Sequence, residues 1–147
     1  STVIWFRWGS SFMKDCPFCM ENAKIEALIK NEFGYIASTD DPILVNSLMI
    51  LPFRHVADPF DLSPEEWVAT HELLLKGKQL LDLDHPDGYS VGWNVGVVGG
   101  QSIPHAHLHV IGRYADEPLA GKGIRHALKQ ASNQRPTTKS LASIPEI

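Results

Sequence analysis

Three histidines in the last third of the chain, His105, His107 and His109, have the clearest capacity for chemistry, because they alternate with apolar residues. Successive side chains of a β-strand point to opposite faces of the sheet. The spacing therefore predicts a strand that carries the three imidazoles on one face and contributes its other face to the core.

Three roles are compatible with such a row of imidazoles. The rings can be structural, although one face would then crowd several polar groups without an apolar benefit. They can bind one catalytic metal ion, since His-x-His pairs are known zinc ligands. They can also support covalent catalysis on phosphorus, because a neutral imidazole is a good nucleophile near neutral pH and forms a phosphoramidate that water later cleaves. We favour the third interpretation.

In this third interpretation the central residue, His107, is the nucleophile. A hydrogen bond from its other ring nitrogen to a main-chain carbonyl is expected to fix its tautomer, while His109 holds a non-bridging phosphate oxygen. Two glycines before the strand allow close approach of the backbone, and Gln101 and Ser102 add hydrogen-bond donors. This loop is therefore predicted to complete a cradle for the phosphates.

The only two cysteines, Cys16 and Cys19, form the sequence Cys-Pro-Phe-Cys. This spacing is more typical of metal binding or redox chemistry than of a disulfide framework, and it favours a reducing compartment. Half of a metal site is the interpretation that we prefer. The alternatives are reduced packing cysteines and a thiol-disulfide motif, and the second of these lacks the usual strand-helix context.

The chain between the cysteines and the histidines predicts the elements that position them. Strands are expected at residues 33–38, 48–51 and 89–94, and residues 23–30, which also suit a short helix, are expected to pair with the first of these in a hairpin. Ser63 and Pro64 predict the start of a helix that runs to about residue 83, since serine caps a helix and proline suits its first turn. The apolar face of this helix is broad enough to lie on a sheet.

With 147 residues, of which 44% are hydrophobic, the chain is long enough for one domain with its own core. The formal net charge of −4 and the isoelectric point near 5.9 argue against stable binding of nucleic acid or of an anionic membrane. No apolar run approaches the ~20 residues that a membrane-spanning helix needs. Small molecules are therefore the expected partners.

We divide the chain into an N-terminal extension (1–12), a catalytic domain (13–117) and a basic C-terminal tail (118–147) that is disordered in part. Met13 is a candidate start of translation, and residues 1–12 lack the small-residue cleavage site of a secretory signal. Together with the cysteine usage, this predicts a cytoplasmic protein.

The histidine-rich segment resembles the histidine triad (HIT) family, whose motif alternates three histidines with apolar residues. Residues 105–111 read His-Ala-His-Leu-His-Val-Ile, and Gly100, Gln101 and Ser102 match the usual lead-in to the motif. The resemblance extends over about residues 16–113. It implies an α+β fold, in which one long helix packs on an antiparallel sheet, and typically a homodimer.

The resemblance also implies a nucleotide hydrolase or transferase that forms a nucleotidyl-histidine intermediate on His107. The residues that match contacts to the phosphates or the leaving group are Asn94, Gly100, Gln101, Ser102 and His109. Where the family usually places a ribose-binding aspartate this chain has Thr39, so that the adjacent Asp40 becomes the candidate. Ser47 stands where a histidine is common.

The Cys-x-x-Cys branch of the family gives the two cysteines a role. In that branch, zinc is held by the cysteines together with histidines that match His55 and His105. The resemblance thus implies a closed, structural Zn²⁺ site made of Cys16, Cys19, His55 and His105.

The predicted function is hydrolysis of a nucleotide phosphoanhydride or phosphoramidate, with dinucleoside polyphosphates among the candidate substrates. The alternatives are a nucleotide-binding regulatory protein with incidental turnover, and a nucleotidyl transferase that uses an acceptor other than water. The transferases of this superfamily are far longer than the present chain.

Overall fold

A computed structural model describes residues 3–5, 11–22, 25–137, 140–143 and 145–146. Within the predicted N-terminal extension, strands β1 (Val3–Trp5) and β2 (Ser11–Met13) pair antiparallel in a small sheet of their own. The rest of that extension, residues 1–2 and 6–10, lies outside the described residues. None of the helices in the described part of the chain is long and apolar enough to cross a membrane.

The main sheet has five antiparallel strands in the order β3-β4-β5-β7-β6. Its strands are β3 (Ile29–Lys30), β4 (Gly34–Ser38), β5 (Ser47–Pro52), β6 (Gly88–Trp93) and β7 (Leu108–Arg113). One long helix, α1 (Pro64–Asp82), follows β5, and short 3₁₀ turns cover Met20–Asn22, Pro59–Asp61, Ala131–Asn133 and Leu141–Ser143. The predicted α+β fold, an antiparallel sheet with one long helix, is confirmed. The predicted hairpin is present, but its first strand covers only Ile29–Lys30 of the expected residues 23–30, of which residues 23–24 lie outside the described residues.

The strand β5 is buried along its whole length, as its continuous apolar run predicted. On one face of the sheet, alternate residues of the strands pack against α1 and form the main core cluster, which includes Ile36, Leu48, Ile50, Leu108, Val110, Leu73 and Leu81. The helix approaches this face closely at Gly77, where a Cβ atom would lie 3.2 Å from Leu48 Cδ1. A glycine in a helix interior costs about 1 kcal/mol relative to alanine, and here the missing side chain admits the sheet.

The start of α1 is fixed by a capping box. The Ser63 hydroxyl accepts a hydrogen bond from the Glu66 amide, and the Glu66 carboxylate accepts one from the Ser63 amide. The same carboxylate is buried, with only 4% of its side chain exposed, and pairs with Arg54 at 2.7 Å. Arg54 lies two residues after the end of β5, so this one carboxylate joins the start of the helix to the segment that leaves the central strand.

We expect Glu66→Gln to lower the free energy of unfolding by roughly 2 kcal/mol at neutral pH. Burial on its own raises the pKa of Glu66, but hydrogen bonds from Arg54 and Ser63 outweigh it and hold the pKa below the ordinary value of 4.5. The ionised carboxylate thus stabilises the fold above pH 4.5, and this stabilisation is lost as the pH falls through the lowered pKa. Urea unfolding as a function of pH measures it.

The matched control is Glu65→Gln, which removes a neighbouring, exposed carboxylate in the same helical turn. It is expected to change the stability by less than about 0.5 kcal/mol. Equal losses for the two variants would show that the helix dipole, rather than the bond to Arg54, accounts for the effect.

The face of the sheet opposite α1 contains a second buried cluster of Tyr35, Ala37, Met49 and Leu51. Met49 pairs in register with His109, so His109 lies on this face. The sequence predicted a strand that carries all three histidines, but β7 begins only at Leu108. The amide of Ala106 donates to the carbonyl of Val56, in the segment that follows β5, rather than to a neighbouring strand of the sheet. The alternation of faces nevertheless holds, since Ala106 packs in a core cluster with Val56.

Candidate active site and metal centre

His107 lies directly before β7, and its side chain is held in one orientation. Its Nδ1–H donates a hydrogen bond of 2.8 Å to the main-chain carbonyl of His105. Because a carbonyl oxygen only accepts, this bond places the proton on Nδ1 and leaves Nε2 with a free lone pair. The residue is only 6% exposed. The structure thus contains the tautomer-fixing bond that the sequence led us to expect.

His109 lies beside His107, and the two rings have centroids 4.8 Å apart in an edge-to-face arrangement. Burial lowers the pKa of His109 below 6.5, and the neighbouring His107 lowers it further. A neutral imidazole at this position retains one N–H that can donate to a phosphate oxygen without a second positive charge next to the nucleophile.

Phe18 was not among the residues singled out from the sequence, and it contacts two of the three histidines. Its ring lies edge-on to His107, with centroids 5.0 Å apart, and to His105, with centroids 6.3 Å apart. The Tyr35 hydroxyl donates to the Phe18 carbonyl and holds this segment on the sheet. The position of Phe18 between the two cysteines is the one sequence signal that could have indicated this role.

A cavity of about 310 Å³ opens beside His109, and we call it the inner cavity. Asn94, at the end of β6, and Gly92, the register partner of His109, also line it. The structure therefore places His109, whose ring contacts that of His107, and the predicted Asn94 around one space on the face of the sheet opposite α1.

The glycine loop is held by its own glutamine. Gln101 accepts a hydrogen bond from the Gly96 amide at 2.9 Å and donates to the carbonyls of Ala57 and Ile103. Gly100 has φ +96°, a conformation that glycine adopts without strain. The side chain of Gln101 is thus occupied in shaping the loop, whereas its donors had suggested a role at the phosphates.

Two other predicted substrate contacts lie elsewhere. Ser102 lines a separate cavity of about 300 Å³ together with Cys16 and His55. Asp40 is exposed in the turn after β4, with φ +52°, and is not among the residues that line the inner cavity. The described geometry therefore does not group Ser102 or Asp40 with His109.

Thr39 and Ser47, the two positions that depart from the family pattern, contact each other. Their hydroxyl oxygens lie 2.6 Å apart, and Ser47 donates to the carbonyl of Leu44 at 2.6 Å. Because the Ser47 proton is committed to Leu44, the Thr39 hydroxyl donates to Ser47. Both hydroxyl protons are thus used to close the loop between β4 and β5.

The second cluster consists of Cys16, Cys19, His55 and His105, whose potential ligand atoms all lie within 4.8 Å of one another. His105 Nδ1 is 3.5 Å from the sulfur of Cys16, 3.6 Å from that of Cys19 and 3.2 Å from His55 Nδ1. The distance from Cys19 Sγ to His55 Nδ1 is 3.3 Å. Neither cysteine forms a disulfide.

These distances fit the edges of a metal-centred tetrahedron. Zinc bonds of about 2.3 Å to sulfur and about 2.0–2.1 Å to nitrogen place a sulfur and a nitrogen about 3.5 Å apart, and two nitrogens about 3.3 Å apart. His105 donates its Nε2–H to the Pro52 carbonyl at 2.9 Å, which leaves Nδ1 free as a ligand. The donor set and its spacing therefore suit a tetrahedral metal ion.

Both histidines of the cluster are in the state that a metal requires. Burial lowers the pKa of His105 to about 4, an effect that the hydrogen bond to Pro52 only partly opposes. Burial also lowers the pKa of His55. Neutral imidazoles bind metal ions, whereas protonated ones do not.

The comparisons with known proteins identify the family and the fold. The model of the HIT domain family matches residues 21–116, and the chain belongs to this family. A HIT family protein of Bacillus anthracis, known from its crystal structure, has the same fold, with a TM-score of 0.63, 24% identity, and coverage of 70% of this chain and 76% of that one.

Two curated relatives match about half of the chain. A bis(5'-nucleosyl)-tetraphosphatase of Schizosaccharomyces pombe is 32% identical over 73 residues, which are 49% of this chain and 40% of the relative. An AP-4-A phosphorylase of Mycobacterium tuberculosis is 31% identical over 72 residues, which are 48% of this chain and 37% of the relative. The chain therefore spans well under half the length of these relatives.

Proposed function

We propose that the protein hydrolyses a nucleotide phosphoanhydride or phosphoramidate through a nucleotidyl intermediate on His107. The observation that carries this proposal is the bond from His107 Nδ1 to the His105 carbonyl, which in a nearly buried site selects the neutral tautomer with its lone pair on Nε2. The names of the two curated relatives, a tetraphosphatase and a phosphorylase, support a reaction at a polyphosphate chain.

The chemistry has two steps. His107 Nε2 attacks the α-phosphorus, so that an N–P bond forms and the bond from phosphorus to the leaving group breaks. Water then attacks the same phosphorus, the N–P bond breaks to restore the neutral imidazole, and the nucleoside monophosphate leaves; the proton that water gives up balances the one taken up by the leaving group, which departed in the first step. Across both steps one molecule of water is consumed. His109 stabilises the transition states by donating to a non-bridging oxygen.

Phosphorolysis, in which inorganic phosphate replaces water in the second step, is a second candidate because one relative is named as a phosphorylase. A regulatory nucleotide-binding protein is a third. The three differ in the fate of the bound nucleotide: a binder forms no adduct, a hydrolase releases a monophosphate, and a phosphorylase releases a diphosphate.

Rapid acid quench of the protein with a dinucleoside polyphosphate, followed by mass spectrometry of its peptides, tests the proposal. We expect a nucleotidyl group on the peptide that contains His107, and nucleoside monophosphate as the product in buffer without phosphate. Turnover without an adduct would contradict the covalent route, and a diphosphate formed only with added phosphate would favour phosphorolysis.

The metal at the second cluster is proposed to be Zn²⁺ with a structural role. Two sulfur and two nitrogen ligands are typical of zinc, and a full set of four protein ligands leaves no position for substrate. In this proposal, the ion fastens the segment of Cys16 and Cys19 to the segment of His105, which precedes β7.

The functional unit is proposed to be a homodimer joined through β6. Within the described residues, no strand pairs with the outer side of β6. A cavity of about 350 Å³ between α1 and β6 is lined by Trp67, Val91 and Trp93, and the first two are 45% and 40% exposed. An open strand edge beside exposed apolar side chains favours association.

Light scattering is expected to give twice the mass of the chain, and Val91→Asp is expected to give the monomer mass. Leu83→Asp, which places the same charge at the exposed end of α1, is the control and should leave the dimer intact. A monomeric wild-type protein would contradict the proposal.

A further inference from the structure

Arg113, the last residue of β7, fastens the following segment onto the face of the sheet that carries His109. Its guanidinium pairs with the carboxylate of Glu117. It also donates to the Ser90 hydroxyl on β6 and to the carbonyls of Leu119 and Lys122, each at 2.9 Å. We call residues 117–124 the clamped loop. The four partners of the Arg113 side chain fix the path of the clamped loop across the sheet, although the loop contains no helix or strand.

The clamped loop reaches the candidate active site at Ile124. A Cβ atom placed on Gly92 would lie 3.1 Å from Ile124 Cδ1, so the isoleucine side chain packs directly on the backbone of β6. Gly92 is the register partner of His109. Ile124 therefore forms a wall next to His109, and it lines the inner cavity.

The loop between β4 and β5 forms the opposite wall. The Asp41 carboxylate accepts hydrogen bonds from the amides of Ile43 and Leu44, at 2.8 and 2.7 Å, and the hydroxyl pair of Thr39 and Ser47 closes the loop at its base. These bonds fix the turn, which leaves the side chains of Ile43 and Leu44 85% and 42% exposed.

Between these walls lies an outer cavity of about 620 Å³, lined by both loops. It shares Leu44, Ser90, Ile111 and Ile124 with the inner cavity, so the two spaces are continuous. Drug-sized ligands occupy cavities of about 300–1,000 Å³, and each of the two is in this range. The inner and the outer cavity together therefore have room for two linked groups of nucleoside size.

We infer that the outer cavity binds the second nucleoside of a two-headed nucleotide, the one that leaves with the rest of the phosphate chain. This inference rests on the proposed function, which places the reacting phosphorus beside His107 and His109. The lining of the outer cavity is mostly apolar, as a nucleobase requires, and because Arg113 and Glu117 pair with each other, Lys122 supplies the net positive charge of the lining.

The clamped loop and the loop between β4 and β5 are then the determinants of leaving-group specificity. A nucleobase that enters between Leu44 and Ile124 loses water-exposed area on both faces, which stabilises the bound state. A substrate whose leaving group lacks a base cannot make these contacts.

Calorimetric titration tests the inference with two non-hydrolysable probes, the methylene-bridged analogues of diadenosine tetraphosphate and of adenosine tetraphosphate. The probes have the same number of phosphates; the second lacks one adenosine and carries extra negative charge on its free terminal phosphate, a difference that is the same for every variant compared. We expect the wild-type protein to bind the dinucleoside probe at least about 10-fold more tightly. In Ile124→Asp and in Leu44→Asp, one change from each wall, we expect the two affinities to agree within about 2-fold.

The matched control is Leu128→Asp, because Leu128 is 64% exposed in the same C-terminal segment, close to the 63% of Ile124, and does not line the cavity. It should keep the preference of the wild-type protein. Three results would overturn the inference. The wild-type protein could bind both probes with equal affinity, it could fail to bind either, or the preference could survive both wall substitutions. Failure of the proposed function is distinguishable, because it appears as absence of an adduct on His107 whatever the affinities.

Discussion

Substitution of His107 by alanine is expected to lower the turnover of a dinucleoside polyphosphate or an adenosine phosphoramidate at least about 10³-fold. In the proposed mechanism the imidazole of His107 supplies the atom that bonds to phosphorus. No other described group in contact with His107 is oriented by the same hydrogen bond to the His105 carbonyl. His109, its neighbour, lies on β7 and lacks the bond to the carbonyl of His105 that fixes the tautomer. Substrate affinity is expected to change much less than turnover, because the cavities remain.

The control for this prediction is His85→Asn, which removes an exposed imidazole after the end of α1, outside the cavity of the proposed dimer interface, at a φ of +51° that asparagine tolerates. We expect its turnover to stay within about 2-fold of the wild-type value. Circular dichroism and metal content should match the wild-type protein for both variants. Undiminished activity of a folded His107→Ala protein would refute the assignment of the nucleophile.

Removal of the metal is expected to lower the melting temperature by roughly 10 °C or more. The four ligands come from three separate parts of the sequence, and a bound ion contributes its binding free energy only in the folded state, where they meet. Protein purified under reducing conditions without chelator should contain about one zinc ion per chain. Cys16→Ser should lose the ion and melt at the temperature of chelator-treated wild-type protein.

Treatment of the Cys16→Ser variant with chelator is the control, and it should shift the melting temperature no further. Wild-type protein that is free of metal and insensitive to chelator would contradict the proposal. Zinc can also be added back to the chelator-treated wild-type protein. If the zinc content recovers but the melting temperature does not, the cysteines stabilise the fold by packing alone.

The parts that the sequence predicted well are those that depend on periodicity and local chemistry. The apolar run of β5 and the cap at Ser63 correctly predicted a buried strand and the first turn of α1. The alternation at residues 105–109 predicted the division of faces. It could not predict that β7 starts at Leu108, because the pairing of Ala106 with Val56 depends on where a distant segment passes.

The parts that the sequence could not predict depend on packing between distant segments. Gln101 has donors that suit a phosphate, but the carbonyls of Ala57 and Ile103 take them. Arg113 was noticed only as the end of the family resemblance, although its guanidinium fixes the path of the clamped loop. Neither set of partners has a spacing or composition that marks it in advance.

His105 contributes its imidazole to one cluster and its carbonyl to another, which affects how substitutions in the two clusters combine. Its imidazole belongs to the cluster of two cysteines and two histidines that could hold a metal, while its carbonyl accepts the hydrogen bond from Nδ1 of His107, the proposed nucleophile. Any backbone shift at this residue alters both at once, so substitutions in the metal cluster and substitutions around the nucleophile should be non-additive. A substitution that alters the cluster of cysteines and histidines is thus expected to alter the position of His107, and a substitution around His107 is expected to alter the cluster.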